Sequence, residues 1–544
     1  VPDGLVADRV VIVYRFEPGE RYHLGEVAFV GNTVVGKDEL REAFSIRDPL
    51  GGWQTLPPGH PYKVRDIEGA SERARRLISN RGYARCQLRP VRTFDRERRL
   101  VHLTLQVVEG PVYRVGRVDF AGNERTRDAV VRRAMALHPG DMWSDDRRDE
   151  SKRQIERTGL YRDEPGRRLR IEPDFPVDRP EEVDLRVDLS ESSTASVSFQ
   201  VSYSTVTGIA GEIRFTERNF DLLGLLSEGF SSWRGGAQTL DASIFASTER
   251  TSVDVSWTNR HVLDGPYSLS LSTSRRESTQ RDWDERRLGA SAVVGRRFFD
   301  NDLHLTLGYS YVDRHIDDIQ LDAPDDAVEG DSFANQISLG QDFDRLNNPM
   351  LPTRGFVLGA REEVSGRLMP ASAETFEYTL RGEGYLPLAE AEDGGVTFLR
   401  AAGRFRGIRP IGSTDAVPFY DRYVGGGPAP RHRGFEVNQL GPKAINANGF
   451  EADVGGTNDL LLTSELWLPL QGTNEGMRLV GFVDHGNIWG DDETFSWGAL
   501  RTAVGIGIRF PIQLPVSLDF ARLIDQRDGE ASTQIHFGVG QVRF

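Results

Sequence analysis

From about Ser190 to the last residue, Phe544, apolar side chains recur at every second position. Val197/Phe199/Val201/Tyr203, Leu240/Ala242/Ile244, Val253/Val255/Trp257, Leu269/Leu271 and Leu303/Leu305/Leu307/Tyr309/Tyr311 are examples, with Ser, Thr, Asp, Gln and His between them. This is the period of a strand with one apolar face, and no helical pattern interrupts it. A soluble sandwich ends after roughly 100–250 residues. A propeller or repeated sandwich would show a blade repeat, and none is visible. A sheet this long must close on itself to remove its edges. At about 10 residues per strand plus turns, the segment holds roughly 16 strands. An apolar face, a polar face and aromatics near strand ends predict an antiparallel transmembrane β-barrel with a wet lumen. Only 38% of the chain is hydrophobic and it has no long apolar run. A membrane-spanning helix is therefore not expected, which leaves a barrel open.

The first third reads differently. Tyr22-x-x-Gly25-x-Val27-x-Phe29-x-Gly31-Asn32 recurs as Tyr113-x-x-Gly116-x-Val118-x-Phe120-x-Gly122-Asn123, at a constant offset of 113 − 22 = 91. Each copy predicts a strand ended by a Gly-Asn turn. Helical segments follow at Lys37–Phe44 and Asp128–Leu137. Second helices end near Asn80–Tyr83 and Thr158–Tyr161, with a glycine suited to the C′ position. Two strands complete the unit, clearest at Ala84–Phe94 and Leu100–Val108. Each unit is thus a small β-α-α-β-β domain of the α+β class. Residues 10–16, VVIVYRF, look like the last strand of an earlier, truncated unit. The expected domains are residues 1–19 (that remnant), 20–109, 110–190 and the barrel at 191–544.

The net charge of −15 makes general nucleic-acid binding an unfavourable reading. The single cysteine, Cys86, excludes an intrachain disulfide and reads as a small buried hydrophobe. The chain begins at Val1, and we expect a mature or trimmed form. The arginine-rich run from Arg73 to Arg99 reads as a solvated surface, with acidic partners as the alternative.

Several segments together resemble one family. Gly425-Gly426-Gly427 precedes Arg431-His432-Arg433-Gly434-Phe435, which is similar to an Arg-Gly-aromatic loop motif; His432 stands where an aliphatic is usual. Val480-Gly481-Phe482-Val483-Asp484-His485-Gly486 resembles a Phe-x-Asp-x-Gly strand. Ser464-x-x-x-x-Pro469 around Glu465, Asp342-x-Asp344-x-x-x-Asn348-Pro349 with Pro352-Thr353-Arg354-Gly355, Gly505-x-Gly507-x-Arg509 and the terminal aromatic Phe544 match further segments in the same order. On these residues the chain resembles the outer-membrane barrel-assembly superfamily (BamA, TamA and the TpsB exporters). Its repeats resemble POTRA domains. Two repeats plus a remnant bring it nearest the TamA branch, and no TpsB-type plug helix is visible.

The resemblance implies a location in the bacterial outer membrane, with the POTRA domains in the periplasm. It implies that the Arg431–Phe435 loop folds into the lumen, with Arg433 on Asp484 and Glu465 as a second candidate partner. Without the resemblance, Arg431 and Arg433 would read as solvated loop charges. Phe482 and Asp484 share a parity, so we place both on the lumen face with Phe482 packed under the loop. The resemblance also implies a lateral seam between the first strand (Val197, Phe199, Val201) and the last (Phe537, Gly538, Val539, Gly540, Phe544). Glycines and a parity switch there suggest a bulge or fraying, with an ordinary closed barrel as the alternative. An incoming strand would pair at such an edge. The turn residues Gly31, Asn32, Gly122 and Asn123 mark the POTRA strand ends. Exposed POTRA edges would dock unfolded outer-membrane or secreted polypeptides, or an inner-membrane-anchored, TamB-like partner; lipid surrounds the barrel.

No phosphate loop, dinucleotide fingerprint, nucleophile elbow or zincin motif occurs, so neither an enzyme nor a cofactor is expected. Two readings stay open. One is a factor that inserts other barrels through the seam. The other is a TpsB-like exporter threading an unfolded polypeptide through the lumen. The repeats disfavour a plain pore.

Overall fold

The computed structural model describes residues 20–47, 53–161, 169–205, 207–279, 282–299, 301–391, 394–470, 476–491, 493–510, 515–527 and 530–539. The expected remnant strand at 10–16, together with Gly540 and Phe544, lies outside them. The chain divides into two compact units between Ser192 and Ser193.

The first unit holds both repeats. Repeat one runs β1 (His23–Val30), α1 (Lys37–Ala43), β2 (Ser45–Arg47), β3 (Trp53–Thr55), α2 (Val64–Ser79), β4 (Gln87–Asp95) and β5 (Leu100–Val108). Repeat two runs β6 (Arg114–Ala121), α3 (Asp128–Arg133), α4 (Asp145–Arg157), β7 (Arg170–Asp174) and β8 (Glu182–Asp188). The sheets are ordered β1-β5-β4 and β6-β8-β7, so β4 and β7 are edges. Helices α1 and α2 cover the first sheet over a core that includes Leu40, Phe44, Ile67, Leu103 and Leu105.

Three details differ from the expectations. Repeat one inserts the hairpin β2–β3 between its helices. Helix α3 ends at Arg133 rather than Leu137. Its last N–H groups turn to carbonyls three residues back, and the Ala136 N–H donates to the buried Ser151 Oγ at 2.8 Å. The arginine run is only partly solvated. Arg75 reaches Asp145 at 2.5 Å and Arg76 reaches Asp149 at 2.7 Å, both in the second repeat. The Trp143 Nε1–H donates to Ser79 Oγ at 3.0 Å in the same buried junction. Arg85, Arg89, Arg92 and Arg96 are exposed.

Gly31 and Gly122 adopt φ of +91° and +90°, the left-handed region that glycine enters without steric cost. Each turn is then held by a carboxylate that follows the unit's last strand. Glu109 accepts from the Thr33 and Val34 N–H groups at 2.7 and 2.9 Å; Glu191 accepts from the Arg125 and Thr126 N–H groups at 3.1 and 2.7 Å. Partial desolvation opposes ionisation of Glu109, but the hydrogen bonds from Thr33 and Val34 outweigh it and hold its carboxyl below the usual range. Burial pushes the Cys86 thiol up, with Arg75 pulling the other way, so it stays protonated at neutral pH.

The second unit is a closed barrel of sixteen antiparallel strands. Its first part comprises β9 (Ala195–Ser204), β10 (Gly208–Phe220), α5 (Leu222–Glu228), β11 (Gln238–Ser247), β12 (Arg250–Asn259), β13 (Tyr267–Thr279) and β14 (Asp284–Phe298). There follow β15 (Leu303–Asp317), β16 (Gly330–Asp344), β17 (Gly355–Ser365), β18 (Thr375–Glu390) and β19 (Val396–Pro410). The long connection 411–457 carries a small hairpin, β20 (Lys443–Ile445) and β21 (Glu451–Asp453). The barrel ends with β22 (Asn458–Pro469), β23 (Arg478–Trp489), β24 (Arg501–Phe510), β25 (Val516–Leu523) and β26 (Thr533–Val539).

Helix α5 departs from the expectation of an all-strand barrel. It forms because Leu222-Leu223-Gly224-Leu225-Leu226 follows a capping Asp221, whose side chain accepts from the Gly224 N–H at 2.9 Å. Ile213, Ile244 and Val253 stand in register on three neighbouring strands and are exposed, which marks the outer face. Arg214, Ser243 and Asp254 alternate with them toward the lumen.

Candidate functional site

The sixth connection at one rim of the barrel, residues 411–457, turns inward. Gly426 and Gly427, at φ of +96° and +114°, let the chain double back, and a Cβ on Gly426 would sit 2.1 Å from the Glu436 carbonyl oxygen. Backbone bonds between Gly425 and Leu440, and from the Gly427 N–H to the Phe435 carbonyl, close the loop. Its tip is the sequence-singled Arg-His-Arg-Gly-Phe stretch.

Arg433 is 0% exposed. Its Nε–H and NH2 group donate to Asp484 at 2.7 Å each, its backbone N–H to Asp484 at 3.0 Å, and its NH1 group to Glu465 at 2.7 Å. Glu465 stands opposite Phe482, and Asp484 opposite Thr463, in the β22–β23 register, so all four share the inner face. The guanidinium carbon lies 3.5 Å from the Phe482 ring centroid, a cation–π contact beneath the fork. That ring needs room: a Cβ on Gly505, in β24, would lie 2.2 Å from Phe482 Cζ. The Gly505-x-Gly507-x-Arg509 segment thus packs beside the clamp, and Arg509 pairs with Asp519 at 2.6 Å.

Gly434 and Phe435 fix the tip. A Cβ on Gly434 would meet the Ala503 Cβ at 2.7 Å, and Phe435 packs with Leu440, Ala503 and Leu523. Arg431, in contrast, is exposed, and its guanidinium donates to Asn438 at 3.2 Å. The two arginines therefore have different surroundings, which their spacing did not reveal.

Several residues of the site escaped the sequence reading. Arg400 on β19 donates to the second oxygen of Glu465 at 2.9 Å and to Glu383 at 2.6 Å. Thr463 and Trp467 add bonds to Asp484 and Glu465 at 3.0 and 2.9 Å. Each buried carboxylate is thereby satisfied on both oxygens. The His432 Nδ1 accepts from the Gly434 N–H, so its Nε2–H donates to the Arg501 carbonyl, 2.8 Å away. His536, on the last strand, makes a 2.9 Å hydrogen bond from Nε2 to the Arg433 carbonyl. The signal for His536 was a polar residue between Ile535 and Phe537.

The outer part of the same connection is held separately. Arg314 bonds Asp421 at 3.2 Å and lies 4.1 Å from the Tyr420 ring centroid. The Asn446 amide donates to the Leu321 and Ala323 carbonyls at 2.8 and 2.9 Å.

At the seam, β9 pairs with β10 from Ala195↔Glu217 to Ser204↔Gly208 without a break. Among the described residues, β26 meets β9 at Gly538↔Ser204 and Val539↔Tyr203. Tyr203 and Phe537 approach to 6.0 Å between ring centroids. Val197, Phe199 and Val201 are 57%, 76% and 74% exposed on the outer face.

Comparison with known proteins gives this geometry a context. The pattern of the Omp85 superfamily domain matches residues 232–542, and that of the surface antigen variable number repeat, the POTRA family, matches residues 22–110 and 113–192. The outer membrane protein assembly factor BamA of Neisseria meningitidis serogroup B is 23% identical over 504 residues, covering 88% of this chain and 58% of that protein. BamA of Neorickettsia risticii is 22% identical, covering 98% of this chain and 68% of that protein. This chain thus spans about three-fifths of the Neisseria relative. The crystal structure of BamA from Haemophilus ducreyi lacking POTRA domains 1–3 superposes with a TM-score of 0.75 at 20% identity, over 95% of this chain and 99% of that one. With its barrel matched by the superfamily pattern over more than half its length and two POTRA repeats ahead of it, the chain belongs to the Omp85 superfamily of outer-membrane barrel proteins.

Proposed function

We propose that this chain is an outer-membrane assembly factor that inserts client β-barrels through the seam between β9 and β26. The observation that carries this reading is the first strand. It is fully laddered on one side, meets its closing partner at Gly538 and Val539 among the described residues, and carries an exposed apolar outer face. A strand edge next to lipid is a template on which an incoming strand can pair by β-augmentation once its closing partner gives way. The edge strands β4 and β7 would receive the unfolded client in the periplasm. An inner-membrane-anchored partner of the TamB type would engage the same edges. The energy source is the client's own folding. The exporter reading is less well supported, because the clamped tip occupies lumen space that a threading polypeptide would need.

The test is a disulfide across the seam. Ser204→Cys with Gly538→Cys, in a Cys86→Ser background, joins two residues directly opposite each other. With this variant as the only copy in the cell, the outer-membrane and culture-supernatant proteomes are compared with and without reductant. Integral barrels lost under oxidation and restored by reduction support insertion through the seam. Unchanged barrels with loss of a secreted polypeptide would establish the lumen as the route. No effect of the closed disulfide on either would sink both readings.

A further inference from the structure

Helix α5 and the turn after it present an apolar stripe that the barrel fold does not require. Leu223 and Leu226, one helical turn apart, are 65% and 74% exposed, and Phe230 is 86% exposed. Scattered exposed apolar residues need no explanation, but a contiguous patch marks an interaction surface.

The segment carrying the stripe is firmly held. Asp221 caps α5, and the Leu222 N–H donates to Gln238 Oε1 at 2.9 Å. The Trp257 indole N–H donates to the same oxygen at 2.8 Å. Arg234 donates to the fully buried Glu217 at 2.7 Å. Asn219 accepts from Gly235 and Ala237 through its carbonyl and side-chain oxygens at 2.7 and 3.0 Å.

These anchors also tell on which side of the wall the segment lies. Glu217, Leu240 and Trp257 are paired across β10, β11 and β12, two residues beyond the outward Phe215, Ala242 and Val255. By the pleat they belong to the outer face. The connection therefore reaches its anchors on the outside of the barrel. Glu217 pairs with Ala195, so this happens at the rim where the chain enters the barrel, the periplasmic rim in this superfamily. Trp233, stacked under Arg234 at 4.2 Å, packs against Phe220 at the end of β10. An amphipathic aromatic with a cation is the pairing typical of a membrane interface.

We infer that α5 and Phe230 form a lipid anchor, seated at the headgroup–acyl boundary of the periplasmic leaflet beside the first hairpin of the barrel. The occupant is lipid because the stripe continues the outer face that already meets lipid. An interfacial helix of this kind buries its apolar side and leaves its polar side wet. Glu228, about half a turn away from Leu226, is the polar side.

The anchor is tested on the whole chain in phospholipid vesicles. Single nitroxide labels are placed by Leu226→Cys, Phe230→Cys or Glu228→Cys in a Cys86→Ser background. Collision rates with oxygen and with a water-soluble nickel chelate are then compared. An oxygen-to-nickel ratio several-fold higher at Leu226 and Phe230 than at Glu228 supports the anchor. Equal ratios at the three positions place the helix in water and overturn it. Low collision with both reagents at Leu226 and Phe230 means protein covers the stripe, and overturns it equally. Leu226→Cys alone suffices if Phe230→Cys does not fold, and folding is checked by the heat-dependent gel mobility of closed barrels.

Discussion

The barrel contains two regions of opposite character. At the clamp, a loop cation is wholly buried, gripped by two carboxylates and stacked on a ring. At the seam, the first strand shows its apolar outer face and, among the described residues, meets the last strand at only one end of itself. The difference teaches how one closed sheet can be rigid and yielding at once. Buried charges tolerate no partial solution, since an unpaired one is far more costly than a pair. Backbone pairing along a strand can be released one rung at a time. A mechanism that opens the wall is therefore expected along backbone pairing rather than at a buried ion pair.

The largest effect should come from unpairing the clamp. Asp484→Ala leaves Arg433 buried without its fork, at a cost of about 3–5 kcal/mol. Arg433→Met with Asp484→Leu should recover part of that loss, because Glu465 keeps Arg400. Both are read from the temperature at which the barrel loses its fast-migrating form on a gel. If the double variant is the weaker protein, the clamp is a source of stability rather than of a specified conformation.

His536→Ala tests whether the two regions are connected. It removes one hydrogen bond from the last strand to the loop tip, about 1 kcal/mol, and leaves the ion pairs intact. Hydrogen exchange should quicken at the tip and along β26 together. Quickening at only one of them would show that clamp and seam move separately.

The repeats offer a milder version of the same contrast. Glu109→Gln should weaken the first Gly-Asn turn by about 1 kcal/mol while leaving the second, held by Glu191, unchanged. The pH dependence has a definite sign. Glu109 is held below its ordinary value, so its contribution is complete above about pH 4.3 and is lost as the pH falls through the depressed value. Protection at Thr33 and Val34, after division by the intrinsic exchange rate at each pH, should fall in acid in the parent chain and stay constant over that range in Glu109→Gln. The smallest effect is expected of Cys86→Ser, with less than about 1 kcal/mol lost and no change in barrel mobility.

What could be read from the sequence follows a physical division. Strand alternation and the 91-residue repeat are local patterns, and they correctly implied the barrel and the paired α+β sheets. The Arg433, Asp484 and Phe482 grouping was legible through resemblance, with parity assigning the face. The bonds of Arg400 to Glu465, His432 to Arg501 and His536 to Arg433 were not, because they join elements remote in sequence. Helix α5 was missed because seven residues carry too little periodicity to stand out from neighbouring strands. The partners of Arg75 and Arg76 were hidden for another reason: a charge run reads as solvated until a second domain brings acids to it. Counting repeats to choose a branch of the superfamily was weaker still, since this chain spans only part of its relatives.

The clamp also has a direction in time. Arg433 emerges first during synthesis, whereas Glu465, Asp484 and His536 follow 32, 51 and 103 residues later. The loop tip therefore cannot dock until β22 and β23 exist, and its last tie waits for the final strand. Seating of Arg433 is thus a record that the fifth of this chain that follows it has been made and placed. A chain truncated before Asp484 would leave that guanidinium without its fork, the state that Asp484→Ala imitates.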